Sequence, residues 1–306
     1  MTRWSPITRW VAVLGVALVA GAAQAGPQVV VVQSDDLAPY RDPVPTFLQE
    51  VGVQAAVVDL HGRRAEADAL VRRLRADPPD AVFCLGAKAA WAVRYGVPDA
   101  PMVYAAVQNP GRYGIEGEQV AGVAMRVDPE IHLSQFAGFF PQVRTLGVLR
   151  GPSLSDAHLA DAQAAAVAVG LDLVVREVRA PRRVRTAFRE LATDVDALWL
   201  QPDRDMLTPD SFRVVAEEAR RRGLPLLVDT ENMVRAGGLF AVIPDPEGVG
   251  SQAAALVRRI LDGEAPSDLG VEAPREVEVA LNTGALEQSG IEIDELLLDF
   301  VDTVVE

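Results

Sequence analysis

The chain has 306 residues, 49% hydrophobic and 24% charged, with 43 Asp and Glu against 29 Lys and Arg and a formal net charge of −14. A surface of that sign repels nucleic acid and anionic lipid rather than attracting them. One cysteine, Cys84, excludes an internal disulfide, so stability must come from packing, and the length suffices for two lobes with separate cores.

The N-terminus has the order of a cleavable export signal: Arg3 and Arg9, an apolar run over 11–23, then Ala23-Gln24-Ala25 as a small-x-small cleavage pattern. As a helix the run covers only ~20 Å, short of a ~30 Å hydrocarbon core, so it is read as removed after Ala25 rather than kept as an anchor. Without its two arginines the mature chain carries a net charge of −16. No cysteine follows the cut to take a lipid. The mature protein is expected as a periplasmic monomer with no membrane-inserted segment.

Continuously apolar runs at 29–33, 55–60, 81–85 and 102–106 predict buried strands. Between them, 44–51, 63–75 and 87–95 carry apolar residues at helical spacing; Ala67, Leu70, Val71 and Leu74 share one face opposite charges. After a strand at 120–125 the rhythm restarts: helix 129–140, strand 145–149, helix 155–169, strand 171–178, helix 182–191, strand 197–200, helix 209–222, strands 225–228 and 239–242. Two such units in succession predict two doubly wound parallel sheets flanked by helices. The tail breaks the alternation, with helix 248–261, strand 277–282 and a last acidic amphipathic stretch, which fits a chain that recrosses between finished lobes. Arg220-Arg221-Arg222 stands at a helix C-terminus, where cations suit the dipole.

Catalytic patterns are absent: there is no G-x-S-x-G elbow, P-loop or dinucleotide fingerprint, and His61, His132 and His158 form no recognised cluster. Asp156, His158 and Asp161 have spacing that could bind a metal, but a solvated helix face explains them better. Cys84 falls in a predicted buried strand, where a thiol acts as a small hydrophobe. The chain is therefore read as no enzyme, with no cofactor and no metal.

Ligands of doubly wound sheets gather at strand C-terminal ends. Those ends supply Ser34 and Asp35 with Tyr40 close behind, then Gly86-Ala87-Lys88, Gln108-Asn109, Arg150, Gln201 with Asp203, and Asp229 with Glu231 as candidate ligand contacts. Each has a plainer reading: Gly86 as a turn residue, Asp35 as a cap, Asn109-Pro110 as turn chemistry. Lys88 is the one lysine of the chain and opens a predicted helix whose free N–H groups suit an anion. Asp203, Asp229 or Glu231 would take a cationic group, and Tyr40 would cover an apolar portion.

Several segments, in order, resemble the ABC-transporter substrate-binding family that includes tryptophan- and tyrosine-binding members. They are Gly86-Ala87-Lys88-Ala89-Ala90, Val120-Ala121-Gly122-Val123, Pro141 with Leu146-Gly147-Val148-Leu149, Pro202-Asp203, Gly237-Gly238-Leu239, Ile260-Leu261-Asp262-Gly263 and Leu281-Asn282 with Gly290-Ile291. Ala87 stands where the family has a hydroxyl, and Asn109 where an aspartate precedes the proline. The resemblance implies an α/β type I periplasmic binding fold, a Venus-flytrap with three crossings. Lobe 1 would be 26–125 plus 246–265, lobe 2 would be 126–245 plus 266–306, and the hinges would lie near 125–127, 243–245 and 266–270. It implies a small-molecule ligand, amino-acid-like or an organic anion, held between the lobes and passed to an ABC permease; a membrane sensor kinase or cyclase is the alternative partner.

Overall fold

The computed structural model describes residues 27–306 apart from residue 204. The export signal lies outside the described residues.

The first unit runs β1 (Val29–Gln33), α1 (Ala38–Arg41), α2 (Pro43–Glu50), β2 (Ala55–Asp59), α3 (Arg64–Ala76), β3 (Ala81–Leu85), α4 (Ala87–Gly96), β4 (Met102–Ala105) and β5 (Val120–Val123). The second runs α5 (Pro129–Phe139), β6 (Thr145–Arg150), α6 (Asp156–Ala168), β7 (Asp172–Glu177), α7 (Pro181–Leu191), β8 (Ala197–Leu200), α8 (Pro209–Arg221), β9 (Leu226–Val228), α9 (Glu231–Arg235) and β10 (Phe240–Pro244). The tail adds α10 (Pro246–Leu261), α11 (Pro266–Leu269), β11 (Val271–Glu272), β12 (Val277–Asn282), α12 (Thr283–Ser289), a 3₁₀ turn at Glu295–Phe300 and β13 (Thr303–Val305). Helix starts follow local chemistry. Asp128, Ser155, Thr208, Thr230 and Asp245 each cap the helix that follows by accepting a backbone N–H, and Pro stands at or next to the first helical position of α5, α8 and α10.

The strands form two sheets, ordered β11-β5-β4-β3-β1-β2 and β13-β12-β10-β9-β8-β6-β7. Every pairing of the first is parallel. In the second, β12 pairs antiparallel to β10 and β13 follows β12, so this sheet is mixed at one edge. Helices cover both faces. Phe47 of α2 stacks on Phe83 of β3 at 4.5 Å with the buried Ala253, Ala254 and Val257 of α10 in the same core, and Leu70, Leu74 and Val93 seal the opposite face. In the second unit Phe136, Phe139 and Phe140 gather around Phe240.

Three expectations shift. The run at 55–60 is an edge strand rather than a buried one: β2 has a single neighbour, and Val57 is 44% exposed. Residues 266–272, placed with lobe 2, stay with the first sheet, because Val271 and Glu272 pair with Gly122 and Val123. The third passage between sheets consequently lies at 273–276, after the expected 266–270; the other two passages lie at 124–128, between β5 and α5, and at 245, between β10 and α10.

Candidate functional site

The C-terminal ends of β4, β6, β8 and β9 and the passage from β5 to α5 surround a cavity of about 410 Å³. The first sheet contributes Tyr104, Gln108, Asn109 and Val271; the passage contributes Met125 and Arg126; the second contributes His132, Ser153, Trp199, Gln201, Asp203, Asp229 and Thr230. Both sheets therefore wall one space.

Asp229 directly follows β9, whose last residues, Leu227 and Val228, are fully buried. Its side chain is only 16% exposed, and Trp199 Nε1 donates to its Oδ1 at 2.6 Å. Burial raises its pKa to about 6, against the opposing pull of the Trp199 bond and the Arg126 charge. Trp199 is flanked by two imidazoles: the His132 ring is tilted over it at 5.2 Å, and His158 meets it edge-on at 6.2 Å. Burial takes His132 down to about 3 and, with the Arg126 charge, His158 down to about 4, so both are neutral near pH 7. His158 Nε2 lies 3.0 Å from Gln201 Nε2, where an unprotonated ring nitrogen accepts from the amide. His158 is thus buried rather than part of a solvated face, and Asp156 turns instead to Arg150. Among the described residues, no group of three or more His, Cys, Asp or Glu is placed to hold a metal.

Of the residues singled out from sequence, Gln108, Asn109, Gln201, Asp203 and Asp229 line the cavity. Asp203 is 6% exposed and shapes the wall: it accepts from the backbone N–H groups of Ser153 (3.0 Å), Asp205 (2.9 Å) and Met206 (3.0 Å). Asn109 adopts a left-handed φ of 52° ahead of the turn at Pro110, so its turn chemistry and its place in the wall coincide.

Ser34, Tyr40, Gly86 and Ala87 meet at the edge of the first sheet, outside the cavity wall. Ser34 Oγ accepts from Ala89 N at 3.0 Å, and Gly86, at φ 89°, admits no side chain because a Cβ would stand 2.6 Å from Ser34 Oγ and 2.7 Å from the Tyr40 ring. Asp35 accepts from Asp36 N at 3.0 Å, and the exposed Lys88 donates from Nζ to the Gly62 carbonyl at 3.2 Å. Lys88 does not line the cavity, and its exposed ammonium stands beside the β2–α3 loop. Arg150 engages Asp156 and Glu177, and Glu231 accepts from Arg235 Nε at 2.9 Å.

Sequence reasoning missed Arg126, His132 and Trp199. Trp199 reads as core within an apolar strand and His132 as one residue of an amphipathic helix; their meeting depends on the packing of α5 against the second sheet. Arg126 has no motif, only its position between β5 and α5. It makes no ion pair with a described carboxylate, and it lies near enough to Asp229 to lower that residue's pKa. The wall thus presents a cation and an anion with their charges available, together with acceptor atoms and an indole surface.

The profile of the family described as ABC transporter substrate binding protein matches residues 28–305. A tyrosine-binding protein of Clostridioides difficile is 22% identical over 218 residues, covering 69% of this chain and 63% of the relative, so the match spans less than two thirds of that protein. Among solved structures, the ligand-free, open form of a substrate-binding protein with adhesive properties from Clostridium difficile superposes with a TM-score of 0.72 at 18% identity, covering 92% of this chain and 99% of that one. A Streptococcus pneumonia ABC domain in complex with L-Trp gives 0.59 at 20% identity, covering 92% and 100%. Both likenesses support the type I periplasmic binding fold. With its profile matched almost from end to end, the chain belongs to the ABC transporter substrate-binding protein family.

Proposed function

We propose that the cavity between the two sheets captures an amino-acid-like zwitterion and that the protein delivers it to the permease of an ABC importer. The observation that carries this reading is the pairing of Arg126 and Asp229 on one cavity wall: a guanidinium free of carboxylate partners would take the ligand's carboxylate, and a largely buried carboxylate would take its ammonium. Trp199 and Tyr104 supply aromatic surface for the remainder of the ligand. The volume, about 410 Å³, is in the range of small-molecule sites. The tyrosine-binding relative and the L-Trp complex support the ligand class, and the family supports the transport role. Export to the periplasm rests on the N-terminal 25 residues; the intact mass of the secreted protein is expected to begin at Gly26.

Titration calorimetry with the proteinogenic amino acids, L-tyrosine and L-tryptophan first, tests the reading. Binding by at least one is expected, with Arg126→Ala and Asp229→Asn each weakening it by about tenfold or more, the worth of a charge-assisted contact. A panel that gives no heat and no melting shift overturns the proposal.

A further inference from the structure

The chain is acidic as a whole, with a formal net charge of −14, but its charge is not spread evenly. Helices α3 and α4 pack side by side and leave a groove of about 530 Å³ between them, lined by none of the residues of the ligand cavity. Arg64, Arg72 and Arg75 line it against a single acid, Asp68. Arg64 approaches Asp68 only to 3.9 Å, Arg75 turns its Nε to the Gly96 carbonyl at 2.7 Å, and Arg72 makes no ion pair among the described residues. Beside these cations stand Trp91 and Tyr95, one turn apart on α4, with ring centroids 5.4 Å apart; both are exposed, Trp91 at 53%. Indole, phenol and uncovered guanidinium groups are what the buried centre of a protein interface is made from.

A surface of opposite character lies on the tail. After Arg275 the chain has nine acids and no cation. The 3₁₀ turn at Glu295–Phe300 packs Leu297 on the second core with Ile293 and Val301, which leaves Leu296 and Phe300 pointing away from it, Phe300 at 68% exposure. Val304 of the edge strand β13 adds a third exposed apolar side chain. Glu295 and Asp299 stand among them, exposed and outside every ion pair of the described residues. An apolar patch rimmed by charge marks a contact surface rather than a solvated one.

The two surfaces complement each other, arginines and an aromatic slot on one, carboxylates and projecting apolar side chains on the other. They belong to different sheets, and no hydrogen bond or ion pair among the described residues joins them within one molecule. We propose that the protein pairs with a second copy of itself as a two-fold dimer: the α3–α4 groove of each takes the 295–300 turn of the other, with Phe300 against Trp91 and Tyr95, and Glu295 and Asp299 toward Arg64 and Arg72. Reciprocal contacts of this kind close the assembly at two. The dimer departs from the monomer expected from sequence, and because neither surface uses a cavity residue it stands apart from the ligand reading.

Sedimentation velocity of the secreted protein without ligand tests the pairing, from ~5 to ~300 μM, since two patches of this size make a transient contact with an expected Kd of roughly 10–100 μM. Association is expected to weaken toward ~1 M salt, where charges more than ~3 Å apart are screened. Arg64→Glu with Arg72→Glu, and separately Glu295→Lys with Asp299→Lys, are each expected to weaken self-association by about tenfold or more, because like charges then face each other. An equimolar mixture of the two variants is expected to restore the dimer, since each copy offers the sign its partner lacks, and a variant that failed to fold would not recover in this way. Phe300→Ser, which changes no charge, is expected to weaken association as well. A wild type that stays monomeric throughout, association indifferent to both charge reversals, a mixture that does not recover, or growth beyond a dimer overturns the inference.

Discussion

At Asp229 the fold holds a carboxylate where water reaches little of it. Its pKa rises from 3.8 to about 6, so between those values the native chain keeps a proton that the unfolded chain has released. Stability from this group therefore falls as pH rises through that window, and the whole penalty, on the order of 3 kcal/mol, stands above pH 6. His132 and His158 act in the opposite sense: their folded values lie below 6.5, so stability falls as pH drops from 6.5 toward 4 and the unfolded chain takes up their protons. Asp229→Asn isolates the first effect while keeping an acceptor for Trp199. In urea unfolding without ligand it is expected to exceed the wild type by about 1–3 kcal/mol at pH 8 and to match it below pH 4; a less stable variant at pH 8 contradicts this account. At this scale Asp229 was legible as the polar end of a strand. Lys88 shows the limit of such reading, since rarity in composition says nothing about where an ammonium turns.

The elements themselves followed hydrophobic periodicity closely, with departures where neighbours decide. β2 reads as buried because it is apolar, yet an edge strand exposes what a central strand hides. Arg222, read from sequence only as a cation suited to a helix end, joins Arg185 and Arg189 in converging on Glu218, whose side chain is 6% exposed. Burial would raise that carboxyl, but the Arg189 bond and the three guanidinium charges outweigh it and hold it below the usual range. The crossing of α10 over α2 depends on Gly250, where a Cβ would overlap the Pro43 carbonyl and approach Phe47 N at 3.2 Å. Gly250→Ala gains about 1 kcal/mol of helix propensity but forces two backbones apart, an overpacking that costs ~1–3 kcal/mol or more where neither side can yield. A net loss of urea midpoint is expected; an unchanged or higher midpoint would show that the helices slide to accept the methyl.

Across the whole molecule three strands of chain, at 124–128, 245 and 273–276, are the links between the sheets, and Arg126 lies on one of them. A ligand bridging Tyr104 or Asn109 on one side and Asp229 on the other favours whichever arrangement brings both walls to it. Small-angle scattering with saturating L-tryptophan is expected to show the radius of gyration falling toward the roughly 19 Å of a compact chain of this length. Scattering curves that coincide while calorimetry registers binding would replace closure by capture in a rigid cavity.

By itself the sequence determined two doubly wound units, a tail that recrosses between them, an acidic surface without catalytic motifs, and the strand ends from which a site is built. Those features follow from local periodicity and composition, which act over a few residues. Tertiary structure alone decided that β11 returns to the first sheet, that Ser34 and Lys88 support a helix start and a loop outside the cavity, and that His132 and His158 flank Trp199 beside Asp229. These contacts join segments tens of residues apart, and they depend on strand order, helix packing and the direction of single side chains, which no local pattern encodes.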